Sequence, residues 1–154
     1  MAKSKIKDDN FFMEIALLEA QKAFKKNEVP VGAVVVIENR IISRAHNQPI
    51  KTNDPTNHAE ILALRKAAKK LKNYRLSDAT LYCTVEPCIM CLGAIIHARI
   101  KRLVYGAPEP KFGSIKSVIQ FPFNKFNHRL EIRDGVLSEK CIKILKEFFK
   151  EKRK

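Results

Sequence analysis

Two short segments hold residue types that can do chemistry together, His58-Ala59-Glu60 and Pro87-Cys88-Ile89-Met90-Cys91. They offer one imidazole, two thiols and one carboxylate. Cysteines three apart on a helix face the same side, so both sulfurs reach one ion, and a histidine at a second helix start completes three protein ligands. Three ligands leave zinc an open position, which separates a catalytic site from a closed structural one. Water in that position has its pKa lowered toward about 7. The helix start at Pro87 favours ionised sulfur through its dipole. Residues two apart on a regular helix point roughly 200° apart, so His58 and Glu60 converge only if His58 sits in an irregular first turn, as Pro55 just upstream allows. A carboxylate near the metal but not bound to it takes a proton from the attacking water and passes it to a ring nitrogen and a departing amine. That is the requirement of a hydrolytic deamination.

Each part alone is weak, because a Cys-x-x-Cys is also a redox pair or half of a structural zinc site. The redox reading lacks a thioredoxin-like context. The structural reading lacks a fourth ligand, since His46, His97 and His128 have no matching spacing. Cys83 and Cys141 stand apart and read as buried small apolar side chains. His128 reads as a structural residue bonded to backbone, and His97 has no assigned role.

The elements that must position these groups follow from periodicity and turn residues. Asp8 to Asn10 caps a helix with an apolar stripe from Phe12 to Phe24, which Asn27 ends. Residues 29–37 and 40–45 form a hairpin about Glu38-Asn39. A polar segment with Asn47, Pro49, Asn53 and Pro55 leads to a helix from about Asn57 to Leu71. Then follow a strand at 80–85, a helix from Pro87 to about Ala98, a strand at 100–105, and a long irregular segment at 107–128 that marks a candidate functional loop. A short strand at 130–132 and an amphipathic helix from Leu137 to about Lys150 complete the chain. Alternating strands and helices indicate an α/β fold, and the hairpin requires a mixed sheet, here five-stranded and lying between helices.

A length of 154 residues fits one domain, 1–154. Thirty Lys and Arg against sixteen Asp and Glu give +14, which points to a polyanionic partner, nucleic acid or an anionic membrane, against the plainer reading of a solvated surface. The basic residues Lys3, Lys5 and Lys7 are followed by charge rather than an apolar core, and the longest uncharged run, 87–98, is too short to span a bilayer. The protein is therefore expected to be soluble and cytoplasmic, with no membrane association.

The His-x-Glu and Pro-Cys-x-x-Cys signature resembles the cytidine and deoxycytidylate deaminase superfamily. Residues 29–34 (VPVGAV), 54–61 (DPTNHAEI), 73–76 (NYRL) and 127–129 (NHR) are most similar to its branch acting on adenosine in bacterial tRNA. The resemblance covers nearly the whole chain. It implies a three-layer cytidine-deaminase-like fold and conversion of adenosine to inosine at the wobble position of a tRNA anticodon stem-loop. It also implies a homodimer with one zinc per subunit held by His58, Cys88 and Cys91, with Glu60 as proton shuttle. By the same resemblance Asn47 hydrogen-bonds the purine, although a plain turn-capping role is the alternative, and the Ala59 amide lies near the tetrahedral centre. Val31 and Val85 line the base pocket, while Glu109, Lys111, Phe149 and Arg153 fall in regions that grip the RNA. This chain departs from the pattern at Glu109, where Asp is common, and in residues 112–117, which lack a second glycine; both bear on RNA contact.

Two rival functions share parts of this pattern. A deaminase of free guanine or cytosine needs the same metal chemistry but no basic surface. A noncatalytic zinc RNA-binding protein has no need of Glu60. The terminal lysines beside Phe148 and Phe149 read as an RNA-binding face in preference to a merely solvated helix end.

Overall fold

The computed structural model describes residues 7–153. Helix α1 (Asp9–Lys25) starts where the Asp8 side chain accepts the Phe11 N–H at 2.9 Å, and buries Phe12, Met13, Ala16, Leu17, Ala20 and Ala23. Strands β1 (Gly32–Ile37) and β2 (Arg40–His46) form the expected hairpin, and both turn residues, Glu38 and Asn39, take the left-handed conformation that tight hairpins favour. Gly32 is required by close approach, because a Cβ there would lie 1.9 Å from the Ala16 carbonyl oxygen of α1.

Beyond β2 come a four-residue helix α2 (Pro49–Thr52), α3 (Ala59–Leu71), β3 (Thr80–Val85), α4 (Ile89–His97) and β4 (Arg102–Ala107). A long loop with one 3₁₀ turn at Phe123–Lys125 leads to β5 (Glu131–Arg133) and α5 (Ser138–Lys152). The sheet order is β2-β1-β3-β4-β5, antiparallel at β2/β1 and β1/β3 and parallel at β3/β4 and β4/β5. This is the mixed five-stranded sheet expected from the sequence.

Alternation along the strands divides the core between two faces. Ala33, Val35, Leu81, Cys83, Leu103 and Tyr105 pack with α3 and α4, whereas Val34, Val36, Tyr82 and Val104 pack with α1 and α5. Helices thus cover both faces, giving three layers. At the α1 end, the Asp9 carboxylate accepts the Tyr82 hydroxyl at 2.6 Å and both Arg102 guanidinium N–H groups at 2.7 Å, and pairs with Arg133, fastening the helix to β3, β4 and β5.

Strand directions decide where the connections meet. Because β2 and β3 are each antiparallel to β1, they run the same way, and β4 runs with β3. The segments leaving β2, β3 and β4 therefore all emerge at one edge of the sheet. Several boundaries differ from expectation. The strand expected at 29–37 starts at Gly32, that at 100–105 at Arg102, and the helix expected from Pro87 starts at Ile89. Helix α2, not anticipated, exists because the buried Glu28 carboxylate accepts the N–H groups of Ile50 and Lys51 at 3.1 and 2.8 Å. No helix among the described residues is long and apolar enough to cross a membrane.

Candidate metal and active site

Both chemical segments stand at helix N-termini on that shared edge. His58 is the N-cap of α3 and Cys88 the N-cap of α4, each with extended backbone, and Cys91 lies in the first turn of α4. His58 is thus just outside the helix rather than in its first turn. The 200° divergence expected of two residues within a regular helix therefore does not apply to His58, whose backbone is extended. The two cysteines meet from a cap position and the first turn, not from two positions of one helix face.

His58 Nδ1 lies 3.6 Å from Cys88 Sγ and 3.5 Å from Cys91 Sγ, and all three ligand atoms fall within 4.8 Å of one another. A tetrahedral zinc with bonds of about 2.05 Å to nitrogen and about 2.3 Å to sulfur requires an N···S separation of about 3.5 Å. The donor set fits zinc in number, chemistry and spacing.

The three groups shift one another's proton affinity. The Cys88 thiol is pushed down to about 4, first by its contact with Cys91 and then by His58, while the same contact and burial push Cys91 up. The imidazole of His58 is raised by Cys88. Metal binding displaces such protons.

Glu60, in the first turn of α3, is 4% exposed. Its Oε1 has no hydrogen-bond partner among the described residues, and burial raises its carboxyl to about 7. It is not among the clustered ligand atoms. Such an orphaned polar atom next to a ligand cluster marks a place for a group still to bind.

Asn47 follows β2, and its Oδ1 accepts the Ala59 N–H at 2.8 Å while its own N–H bonds the Val31 carbonyl at 3.1 Å. Val31, Asn47, Ala59 and Glu60 are thereby held together. The Ala59 amide is engaged by Asn47, a bond across twelve residues that fixes the start of α3 rather than capping a turn of Asn47's own segment. Val85 is buried at the end of β3, on the same edge.

Glu109 and Lys111 lie in the loop after β4, where the Lys111 N–H bonds Glu109 Oε1 at 3.0 Å. Phe149 and Arg153 are placed differently. Helix α5 packs against α1, β3 and β4 and touches neither α3 nor α4 among the described residues, so the sheet separates its layer from that of the ligands. Phe149 is 43% exposed, but Phe148 is buried against Phe24 and so is withdrawn from the stacking surface. Lys3, Lys5 and Lys154 lie outside the described residues. His128 Nε2 bonds the Ile100 carbonyl at 2.7 Å, the structural role expected of it.

Sequence reasoning missed Glu86. This residue, 2% exposed and directly before Pro87, gathers the loop after β4 onto its carboxylate. The available signal was an acidic residue ending an otherwise uncharged strand beside the cysteine motif.

The family profile of the MafB19-like deaminases matches residues 6–153. The chain is 50% identical to the tRNA-specific adenosine deaminase of Haemophilus influenzae, over 99% of this chain and 89% of that protein. A structure solved in a study of adenosine-to-inosine editing by tRNA:A34 deaminases at the wobble position is 44% identical, covers 88% of this chain and 99% of its own, and superposes with a TM-score of 0.84. The Bacillus subtilis guanine deaminase structure is 41% identical over 66% of each chain, with a TM-score of 0.64.

Proposed function

The chain belongs to the bacterial tRNA-specific adenosine deaminases within the MafB19-like deaminase family, and from this premise we propose that it hydrolyses adenosine to inosine and ammonia at the wobble position of a tRNA anticodon. The observation that carries the reading is the buried Glu60 carboxylate, whose Oε1 has no hydrogen-bond partner among the described residues, beside three donor atoms spaced for zinc.

His58, Cys88 and Cys91 would hold one zinc per subunit, which when bound supplies Lewis-acid activation of water. Glu60 carries one proton of the attacking water to the ring nitrogen, which keeps it, and then the second, from the hydroxyl added to the ring carbon, to the amine, so that the C–N bond breaks with release of ammonia and the oxygen is left as the carbonyl. Its burial raises its proton affinity toward neutrality, which suits a group that must both accept and release a proton near pH 7. Asn47 serves twice. Its Oδ1 fixes the start of α3, and with it His58 and Glu60, while its Nδ2 donates to an acceptor on the purine. With its N–H held by Asn47, Ala59 contributes to the site by anchoring that start. Val31 and Val85 wall the base.

The +14 charge supports an RNA substrate over a free base. Glu109 and Lys111 contact the anticodon loop from the active edge, and Phe149 with Arg153 meet RNA that reaches around to the α5 layer. The outer face of α4 carries Ile89, which is 52% exposed, with Met90, Gly93 and Ile96, an apolar stripe suited to pairing with a second copy in a homodimer. On this reading of the substrate, the enzyme works in the cytoplasm.

Incubation of the zinc-loaded protein with tRNA carrying adenosine at the wobble position should yield inosine. Rapid deamination of free guanine or cytosine with none of tRNA would overturn the substrate assignment in favour of a guanine-deaminase-like activity.

A further inference from the structure

We propose that Glu86 is a positioning residue that sets RNA affinity by fastening the 109–117 loop to the start of the cysteine helix. This rests on the tRNA reading above, since it takes Glu109 and Lys111 as RNA contacts.

The loop is organised around one carboxylate. Glu86 Oε1 accepts the Glu109 N–H at 3.2 Å and the Ser117 hydroxyl, while Oε2 accepts the N–H groups of Ile115, Lys116 and Ser117 at 3.0, 2.9 and 3.1 Å. Five donors saturate the roughly four lone-pair sites of a carboxylate. Three successive amides aimed at one oxygen make a concavity of the kind that elsewhere binds free anions, and here the anion is the chain's own side chain.

Only the middle of the loop, residues 113–115, is buried, and both of its flanks lie on the surface. Phe112 is 70% exposed, and Lys116, Ser117 and Val118 are also on the surface. Its other ties are the Ser114 N–H and hydroxyl, which both donate to the Pro87 carbonyl at 3.0 and 2.8 Å, the buried Ile115 side chain in the core, and an ion pair from Lys116 to Asp134. Glu86 in turn is fixed by its N–H bond to the Ala107 carbonyl at 2.8 Å. Gly113 completes the fit, because a Cβ there would stand 2.5 Å from Glu86 Cδ and 2.6 Å from the Glu109 carbonyl oxygen.

Ile115 anchors the far part of the loop in the core, whereas the Glu109 end, which carries Lys111, is tied to the junction beside Cys88 by its charge-assisted bond to Glu86. Removing the charge frees the loop but leaves His58, Cys88, Cys91 and Glu60 in place. The effect belongs in RNA binding, not in the rate of the bound complex.

The test uses Glu86→Gln, which keeps shape and burial but turns one acceptor into a donor that faces other donors. Expected results are faster amide hydrogen exchange at Ile115, Lys116 and Ser117, one zinc per chain retained, and affinity for tRNA weakened by about 10- to 100-fold, the equivalent of one hydrogen bond to a charged group. Single-turnover deamination at saturating tRNA should change by less than about threefold. Gly113→Ala should weaken affinity through the same loop, and the double variant should be little worse than either single one. Unchanged tRNA affinity alongside faster loop exchange would overturn the proposal. So would loss of zinc or a collapse of the saturated rate, which would make Glu86 a support of the metal site. If the wild-type protein binds and deaminates no tRNA, the substrate reading fails, whereas the loop exchange still reports whether Glu86 fastens the loop.

Discussion

Glu60→Gln separates chemistry from architecture more sharply than any other single change. The substitution preserves volume and a polar terminus but removes the ability to accept and release a proton. Because Glu60 Oε1 has no hydrogen-bond partner among the described residues, no stabilising bond of that oxygen is broken. A buried carboxylate with one unpartnered oxygen and a buried under-satisfied amide both carry desolvation costs, of several and about 1–3 kcal/mol respectively, so stability should stay within about 2 kcal/mol of the parent. Turnover should behave otherwise. Loss of a general acid and base costs about 10²- to 10⁴-fold, which at about 1.36 kcal/mol per tenfold is roughly 3–5 kcal/mol of transition-state stabilisation. The assay is single-turnover inosine formation at saturating anticodon stem-loop, run beside metal analysis and thermal melts. Parent-like turnover would remove Glu60 from the mechanism. Loss of zinc from Glu60→Gln would show instead that the carboxylate is a ligand, contrary to its position outside the donor cluster.

The other perturbations follow from the same structure. His58→Ala and Cys88→Ala should lose the metal, whereas Cys83→Ala, altered on β3 outside the donor cluster, should retain about one zinc per chain by metal analysis. Asp9→Asn should lower stability at pH 7 by about 2–3 kcal/mol, measured by urea denaturation, because it weakens charge-assisted bonds to Arg102, Tyr82 and Arg133. The Arg102 hydrogen bonds hold the Asp9 carboxyl well below its usual range, despite opposing burial. Its stabilisation is therefore present above the unfolded carboxyl pKa of about 3.9 and is lost as pH falls through the lower folded value, so the two proteins should converge in acid. Deleting residues 150–154 should shallow the salt dependence of RNA binding by about 0.7 for each phosphate no longer neutralised, with the saturated rate much less affected than in Glu60→Gln; an unaltered slope would reduce that tail to a solvated helix end.

The ligand set was readable because each half of it is local. His58 and Glu60 are two residues apart and Cys88 and Cys91 three, so residue type and spacing alone identify them. Less readable was the position of His58 and Cys88 as caps rather than helix residues, since a cap is defined by one extended residue that periodicity cannot resolve. The roles of Glu28 and Glu86 were not legible. Each is a buried carboxylate whose partners are backbone N–H groups 22 to 31 residues away, and every residue except proline offers such a donor, so the partner leaves no mark in the sequence. The same holds for Asn47, whose bond to the Ala59 amide spans twelve residues. The grouping of Phe149 and Arg153 with the site came from resemblance, and the layer order sets them on the other side of the sheet.

Strand direction explains why these separate pieces meet. Three connections leave the same edge: 47–58 after β2, 86–88 after β3, and the loop after β4. In open α/β sheets such an edge is where ligands bind. The connection after β3 needs only three residues to deliver Cys88 to a helix cap. The one after β2 is longer, and each part of it is held by a polar side chain: α2 by Glu28 and the start of α3 by Asn47. Both helices then present the positive ends of their dipoles at that edge, where two thiols must ionise to bind a metal. The third connection carries Glu109 and Lys111 and is fastened by Glu86 to the second. The fold therefore ties Cys88, Cys91 and the loop that carries Glu109 and Lys111 to one strand-to-helix junction, so that on the proposed reading a base placed by the loop is placed with respect to the two cysteines.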